Sequence, residues 1–323
     1  MINCLIHDHV YRRRTAELSA FADKIRFVLL ADDGVLRGSR TGEVVTDPEI
    51  DIAFGNGDVW FGPQARLFLK TLLSAPKLDW FQSSAAGVDN PGLQKLRAAA
   101  NRYTTNHTQS ESMSEWVLWQ ALDWLKRGPE HRANAAEGVW KPLDQRDIHG
   151  SRWLIVGYGS IGTSVGTRVR ALGGHVTGLR RAVSPSEGAD VILPLSSLEE
   201  EVAKADIVLL SLPHTPSTED IAGKDFFAAM KPDALFMNIG RGKLVDEGAL
   251  IAALDAGRPS HAVLDVTREE PLPADHPLWT HPKVTITPHD SPQTHATLLR
   301  ADETFLANLA RYVAGEPLEH ELD

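Results

Sequence analysis

Gly157-Tyr158-Gly159-Ser160-Ile161-Gly162 stands between an apolar run, Arg152 to Val156, and a stretch in which Ile161, Val165, Val169 and Leu172 recur at helical spacing. A G-x-G-x-x-G loop that leaves a strand and opens a helix constrains this chain more than any other feature. The first glycine permits the tight turn, the second lets the backbone approach a pyrophosphate, and the third lets helix and strand pack. The helix N-terminus then offers N–H donors and positive dipole to phosphates. All six residues are candidate dinucleotide contacts.

The pattern continues on the carboxyl side. Gly173 and Gly174 stop the helix and His175 to Leu179 reads as the next strand. Ser197 with Glu200 spells a capping box for a helix through Ala203, Asp206 to Leu212 is a strand, and Lys224 to Met230 a short helix. Ala234 to Ile239 is again a strand, Asp246 caps a helix through Ala256, and strands follow at Ala262 to Val266 and Val284 to Thr287. Such alternation predicts an α/β fold whose cofactor domain is a doubly wound parallel sheet. On the amino side, Ser112 to Gly128 carries Met113, Trp116, Val117, Gln120, Ala121, Trp124 and Leu125 at three- and four-residue spacing, a long helix buried on one face.

Residues 1 to about 107 are less regular, with strand candidates at Arg26 to Leu30, Ile50 to Phe54 and Trp80 to Gln82, and read as a second α/β unit. A last helix, about Thr294 to Val313, turns Leu298, Phe305, Leu306, Leu309 and Tyr312 inward; periodicity does not say which unit it joins. The 323 residues suffice for two cores.

Where an NAD site places an acidic residue to hold the ribose 2′-hydroxyl, this chain has Arg180 and Arg181. Two guanidiniums there attract the 2′-phosphate of NADP, so NADPH is the expected preference, with NAD possible. Arg241, Glu270 and His289 each follow a different predicted strand. If the strands are parallel, the three meet at one carboxyl edge, where this fold holds its ligand. An arginine clamps a 2-oxoacid bidentately, a histidine carries a proton near neutral pH, and a carboxylate beside it raises its pKa and orients it.

With those residues in place, the chain resembles the D-isomer-specific 2-hydroxyacid dehydrogenases. The resemblance rests on the glycine loop, Asn238-Ile239-Gly240-Arg241-Gly242, Leu264-Asp265-Val266-Thr267-Arg268-Glu269-Glu270-Pro271-Leu272-Pro273, and Pro277-Leu278-Trp279 leading to Thr287-Pro288-His289. It is strong over about residues 105–292 and weaker before, where Ser84-Ala85-Ala86-Gly87-Val88-Asp89 is similar to the family's substrate-carboxylate loop. It implies two Rossmann-like domains. A flavodoxin-like substrate domain takes residues 1–107 with 290–323, and the dinucleotide-binding domain takes 108–289.

It further implies that Arg241 binds and polarises the substrate, His289 is the acid/base and Glu270 its partner. Ala86 and Gly87 hold the carboxylate through backbone N–H groups, Ser291 counts with them as substrate-binding, and Asp265 meets the nicotinamide carboxamide. Pro213 and Thr218, within Leu212-Pro213-His214-Thr215-Pro216-Ser217-Thr218, border the cofactor, and dimers form through the cofactor domain. The implied activity is NADPH-preferring reduction of small 2-oxoacids, glyoxylate and hydroxypyruvate first. The alternatives are a nucleotide-sensing, corepressor-like binding protein and a dehydrogenase of larger D-2-hydroxyacids. Asp290-Ser291-Pro292 departs from the small apolar or glycine-rich stretch common after this histidine, as does the polar Asn106-His107-Thr108-Gln109-Ser110 before the long helix.

The remaining candidates read as structural. His7 and His9 lack a visible third ligand, so a surface or core pair is expected and no metal. Arg12, Arg13 and Arg14 read as a solvated face, and Trp60, Trp140 and Trp279 default to core packing. The net charge of -10 argues against nucleic-acid and anionic-membrane partners. A single cysteine, Cys4, and a polar start with no leader-like apolar segment point to a cytoplasmic setting.

Overall fold

The computed structural model describes residues 1–88 and 90–322. Asp89, in the loop similar to the family's substrate-carboxylate loop, lies outside them. The chain divides into two compact units, Met1–Gln109 with Gln293–Asp323, and Ser110–Pro292, so the divisions fall a few residues after 107 and 289.

In the first unit the strands are β1 (Ile2–His7), β2 (Ile25–Leu30), β3 (Leu36–Gly38), β4 (Ile52–Gly55), β5 (Leu78–Ser83) and β6 (Ala100–Thr104), ordered β3-β2-β1-β4-β5-β6. Five are parallel and β3 is an antiparallel edge. Apart from that edge, this is the flavodoxin-like order. Alternate residues of β1 face opposite cores, Cys4 and Ile6 one way and Leu5 the other, as the two-residue period requires. The last helix, His295–Ala314, joins this unit because its Phe305 stacks on Phe54 with centroids 4.5 Å apart and on Trp80 at 5.8 Å.

The second unit contains β7 (Arg152–Val156), β8 (His175–Leu179), β9 (Val191–Leu193), β10 (Ile207–Leu210), β11 (Leu235–Asn238), β12 (His261–Leu264) and β13 (Val284–Ile286). They are all parallel, in the order β13-β12-β11-β10-β7-β8-β9. This is the doubly wound order, with its switch point between β7 and β10. Leu154, Val156, Val208 and Leu210 face one core, and Trp153, Ile155, Ile207 and Leu209 the other. The fold is the expected α/β pair of Rossmann-like units.

Several local readings are corrected. Ser197 makes no cap hydrogen bond, because a 3-10 turn, Leu195–Ser197, runs straight into the helix Leu198–Val202 and denies it the extended N-cap backbone. Leu172 is exposed, since its helix ends at Ala171. Arg13 and Arg14 are not a solvated face. Arg13 bonds Asp58 at 2.7 Å and the fully buried Asp302 at 3.0 Å, and Arg14 pairs with Glu303 at 3.2 Å. A carboxylate so buried needs a cation against it. Trp140 is fully exposed instead of packed, Trp279 is also exposed, and Trp60 packs edge-on against Phe68 as expected.

Candidate active site

The glycine loop takes its shape from its neighbours. Gly157 has φ 98°, and a Cβ there would come within 2.7 Å of the Ser211 and Leu212 backbone, so β7 turns sharply against the end of β10. A Cβ on Gly162 would meet Gly157 O at 3.0 Å and Ile155 at 3.2 Å, which fixes how closely the helix Ser160–Ala171 approaches β7. Gly159 differs, because a Cβ there would meet nothing within 4 Å. No side chain caps this helix at its N-cap, Gly159. An open backbone surface and an uncapped first turn of Ser160, Ile161 and Gly162 suit a pyrophosphate.

Tyr158 contributes differently. Its N–H donates to Leu179 O at 2.9 Å, its ring is buried, and its hydroxyl donates to Glu187 O at 2.9 Å. Burial pushes that phenol up to about 12. Tyr158 therefore braces the loop.

Arg180 and Arg181 follow β8. Arg180 Nε donates to Ala182 O at 2.7 Å and Nη2 to Ser184 O at 3.0 Å, so its guanidinium shapes the turn after β8, while Arg181 is exposed. Thr218 closes the loop after β10 on itself: its hydroxyl donates to Pro213 O at 3.0 Å and accepts from Thr215 N at 2.8 Å.

Arg241, Glu270 and His289 come from the carboxyl ends of β11, β12 and β13, three neighbouring parallel strands. His289 Nδ1 lies 2.9 Å from Glu270 Oε2. Thr267 N donates to the other Glu270 oxygen at 3.2 Å, holding the carboxylate toward the ring. Burial pushes the Glu270 carboxyl up, but the hydrogen bond and charge of His289, the Thr267 N–H and Arg241 together outweigh it and hold the group below its usual value. The same bond raises the His289 pKa against the opposing effect of burial, with Asp265 adding to the rise and Arg241 reducing it.

Asp265 anchors this edge. Almost fully buried, it accepts on Oδ1 from Thr287 Oγ1 at 2.6 Å, Asp290 N at 3.1 Å and Ser291 N at 3.2 Å, and its backbone oxygen accepts from His289 N at 2.8 Å. Those bonds hold His289 at φ 54°, a left-handed conformation that costs a β-substituted residue about 1–3 kcal/mol. The residue type was visible in sequence, but its grip on the following loop was not, because it acts on backbone N–H groups. Ser291 is buried, and its Oγ has no hydrogen-bond partner among the described residues. Asp290 is exposed on the whole, yet partial desolvation of its carboxyl and the nearby Asp265 charge raise its pKa. Ala86 and Gly87 follow β5 in the other unit, where Ala85 N donates to Ser83 Oγ at 3.0 Å.

Residues 118–291 match the family model of the D-isomer specific 2-hydroxyacid dehydrogenase NAD binding domain. The chain belongs to the D-isomer-specific 2-hydroxyacid dehydrogenase family, whose members are NAD(P)-dependent dehydrogenases and reductases. It is 32% identical over 257 residues to the human glyoxylate reductase/hydroxypyruvate reductase, covering 74% of this chain and 75% of that one. It is also 32% identical over 210 residues to glyoxylate/hydroxypyruvate reductase A of Yersinia enterocolitica, 65% of this chain and 66% of the relative. Against the D-3-phosphoglycerate dehydrogenase of Mycobacterium tuberculosis, 32% identical over 250 residues and 76% of this chain, it spans about half of the relative's length, 47%. Among solved structures, the NADPH-dependent glyoxylate/hydroxypyruvate reductase of Sinorhizobium meliloti, in complex with NADP and sulfate, matches with TM-score 0.78 at 26% identity. That match covers 100% of this chain and 98% of the other. No helix among the described residues is long and apolar enough to cross a membrane.

Proposed function

We propose that the protein reduces small 2-oxoacids, glyoxylate and hydroxypyruvate first, with NADPH. The observation that carries this is the His289–Glu270 hydrogen bond of 2.9 Å at the strand edge that also carries Arg241 and, at the switch point, the glycine loop. When bound, the nicotinamide supplies the hydride. With Nδ1 donating to Glu270, His289 presents Nε2–H to the carbonyl oxygen and protonates it, ending neutral. Arg241 holds the oxoacid by its planar fork and stabilises the negative charge growing on that oxygen. The Ser291 hydroxyl, without a hydrogen-bond partner among the described residues, is a further donor to the substrate. Asp265 would hold the nicotinamide carboxamide at this edge.

The test is oxidation of NADPH and NADH with a panel of glyoxylate, hydroxypyruvate and larger 2-oxoacids. Binding of the cofactor without turnover of any of them favours a sensing protein, and turnover confined to larger acids moves the substrate class. We expect kcat/KM with NADPH to exceed that with NADH. Replacing both Arg180 and Arg181 by alanine is expected to remove about tenfold or more of that preference, at about 1.5–3 kcal/mol for a hydrogen bond to a charged group. Equal efficiency of the two cofactors in the wild type overturns the assignment of the arginines.

The same reading makes the protein a cytoplasmic homodimer joined through the second unit. Cys4 is fully buried, and burial pushes its thiol up, leaving it inert. Trp140 is 100% exposed, Val139 44% and Trp119 58%, an amount of bare apolar surface that suits a partner subunit. Sedimentation should give a dimer, and Trp140→Arg should shift it toward monomer. A monomeric wild type sinks this part of the reading.

A further inference from the structure

A second constellation lies on the carboxyl edge of the first unit's sheet, apart from the residues used above. His7 ends β1 and the chain turns at once into the helix Asp8–Arg13. That turn brings His9 back against His7, with ring centroids 4.6 Å apart and planes crossed at 69°. β2 pairs with β1 in parallel register, His7 opposite Leu30. Asp32, two residues beyond Leu30, therefore stands over both rings. Its Oδ1 is 3.5 Å from His7 Nε2 and its Oδ2 3.2 Å from His9 Nε2. The three donor atoms all lie within 4.8 Å of one another.

These separations suit a metal. Nitrogen and oxygen donors at about 2.0–2.2 Å from a tetrahedral ion stand roughly 3.4 Å apart. The other nitrogen of His9, Nδ1, is 3.5 Å from Asp58 Oδ1. Asp58 is itself fixed by Arg13 Nη2 and by Asn56 Nδ2, each at 2.7 Å. A carboxylate behind a histidine, holding the proton on the far nitrogen, is the support that metal-binding imidazoles generally have. Two imidazoles and one carboxylate suit a borderline divalent ion. Ca²⁺ and Mg²⁺ want all-oxygen sites, and Cu(I) wants sulfur.

We propose that His7, His9 and Asp32 bind one divalent cation of the Zn²⁺ class, with water completing its coordination. Binding has a cost written into the geometry. His7 Nδ1 accepts the His9 N–H at 3.2 Å. Metal on Nε2 moves the His7 proton onto Nδ1, so donor faces donor and that contact is given up. The His9 amide therefore reports occupancy from inside the site. The ion would tie the start of the Asp8–Arg13 helix to the β2–β3 turn, where imidazole–carboxylate contacts already join the two.

The experiment uses the untagged full chain, stripped with chelator, titrated with ZnCl₂ by calorimetry and with CoCl₂ by visible absorption, with the His9 amide followed by NMR. One Zn²⁺ per chain, cobalt d–d bands and a shifted, less protected His9 amide are expected. His9→Gln and Asp32→Asn, both at solvent-accessible positions, should each abolish the cobalt bands, and Asp58→Asn should weaken Zn²⁺ binding about 10- to 100-fold. His7→Gln alters a position 1% exposed and can fail by misfolding, so it does not carry the test. Zn²⁺ binding unchanged in the His9→Gln, Asp32→Asn double variant, or an unmoved His9 amide at saturation, overturns the proposal and leaves ions scattered over other histidines.

Discussion

The His289→Gln variant is expected to lose about 10²–10⁴-fold in kcat for glyoxylate reduction at every pH, because the positioned acid is gone while the binding groups stay. In the wild type the pH profile carries the diagnosis. Reduction needs the imidazolium, so kcat/KM is flat below the His289 pKa and falls as pH rises through it. That pKa is raised above the ordinary value of about 6.5 by the Glu270 hydrogen bond. Glu270→Gln removes the charge behind that bond, lowers the histidine's pKa and moves the falling limb to lower pH. Oxidation of the hydroxyacid needs neutral imidazole, so its rising limb moves the same way. Asp290→Asn should move either limb far less, because Asp290 is exposed and the 2.9 Å bond belongs to Glu270. A limb that stays in Glu270→Gln and moves in Asp290→Asn would assign the partner role to Asp290.

Six of the second unit's seven strands were legible in the sequence, most of them as short apolar runs, and Arg241, Glu270 and His289 each follow one; the three-residue β9 was not anticipated. Runs of that kind mark strands buried on both faces, and their order along the chain gave the parallel sheet. Three strands of the first unit, β1, the three-residue edge β3 and β6, escaped. Asn3 and His7 interrupt β1, and Asn101, Arg102 and Thr104 make β6 polar, so their strand character rests on pairing with neighbours. Long-range partners escaped for a related reason. Asp302 lies 289 residues from Arg13, and Asp32 meets His7 through the β1–β2 register, which no local spacing encodes.

Arg241→Lys is expected to lower kcat/KM for glyoxylate on the order of 10²-fold, through both kcat and KM, although the charge is retained. The position of the guanidinium is set from behind. Asn238 bridges the loop, accepting from Gly240 N at 3.0 Å and donating to Arg241 O at 2.9 Å, and Arg241 Nη1 donates to Gly240 O at 2.6 Å. A Cβ at Gly242 would come within 1.9 Å of the Thr267 carbonyl, so this loop presses directly on the segment that carries Glu270. A lysine ammonium can restore the charge but not a planar fork pinned through Nη1. NADPH binding, followed by fluorescence, should survive. The pH profile separates charge from shape: the cation at 241 lowers the His289 pKa, so Arg241→Gln should move the reduction limb to higher pH, while Arg241→Lys should leave it where it is. A lysine variant with near wild-type kcat/KM would put the clamp on another residue, whatever the limb does.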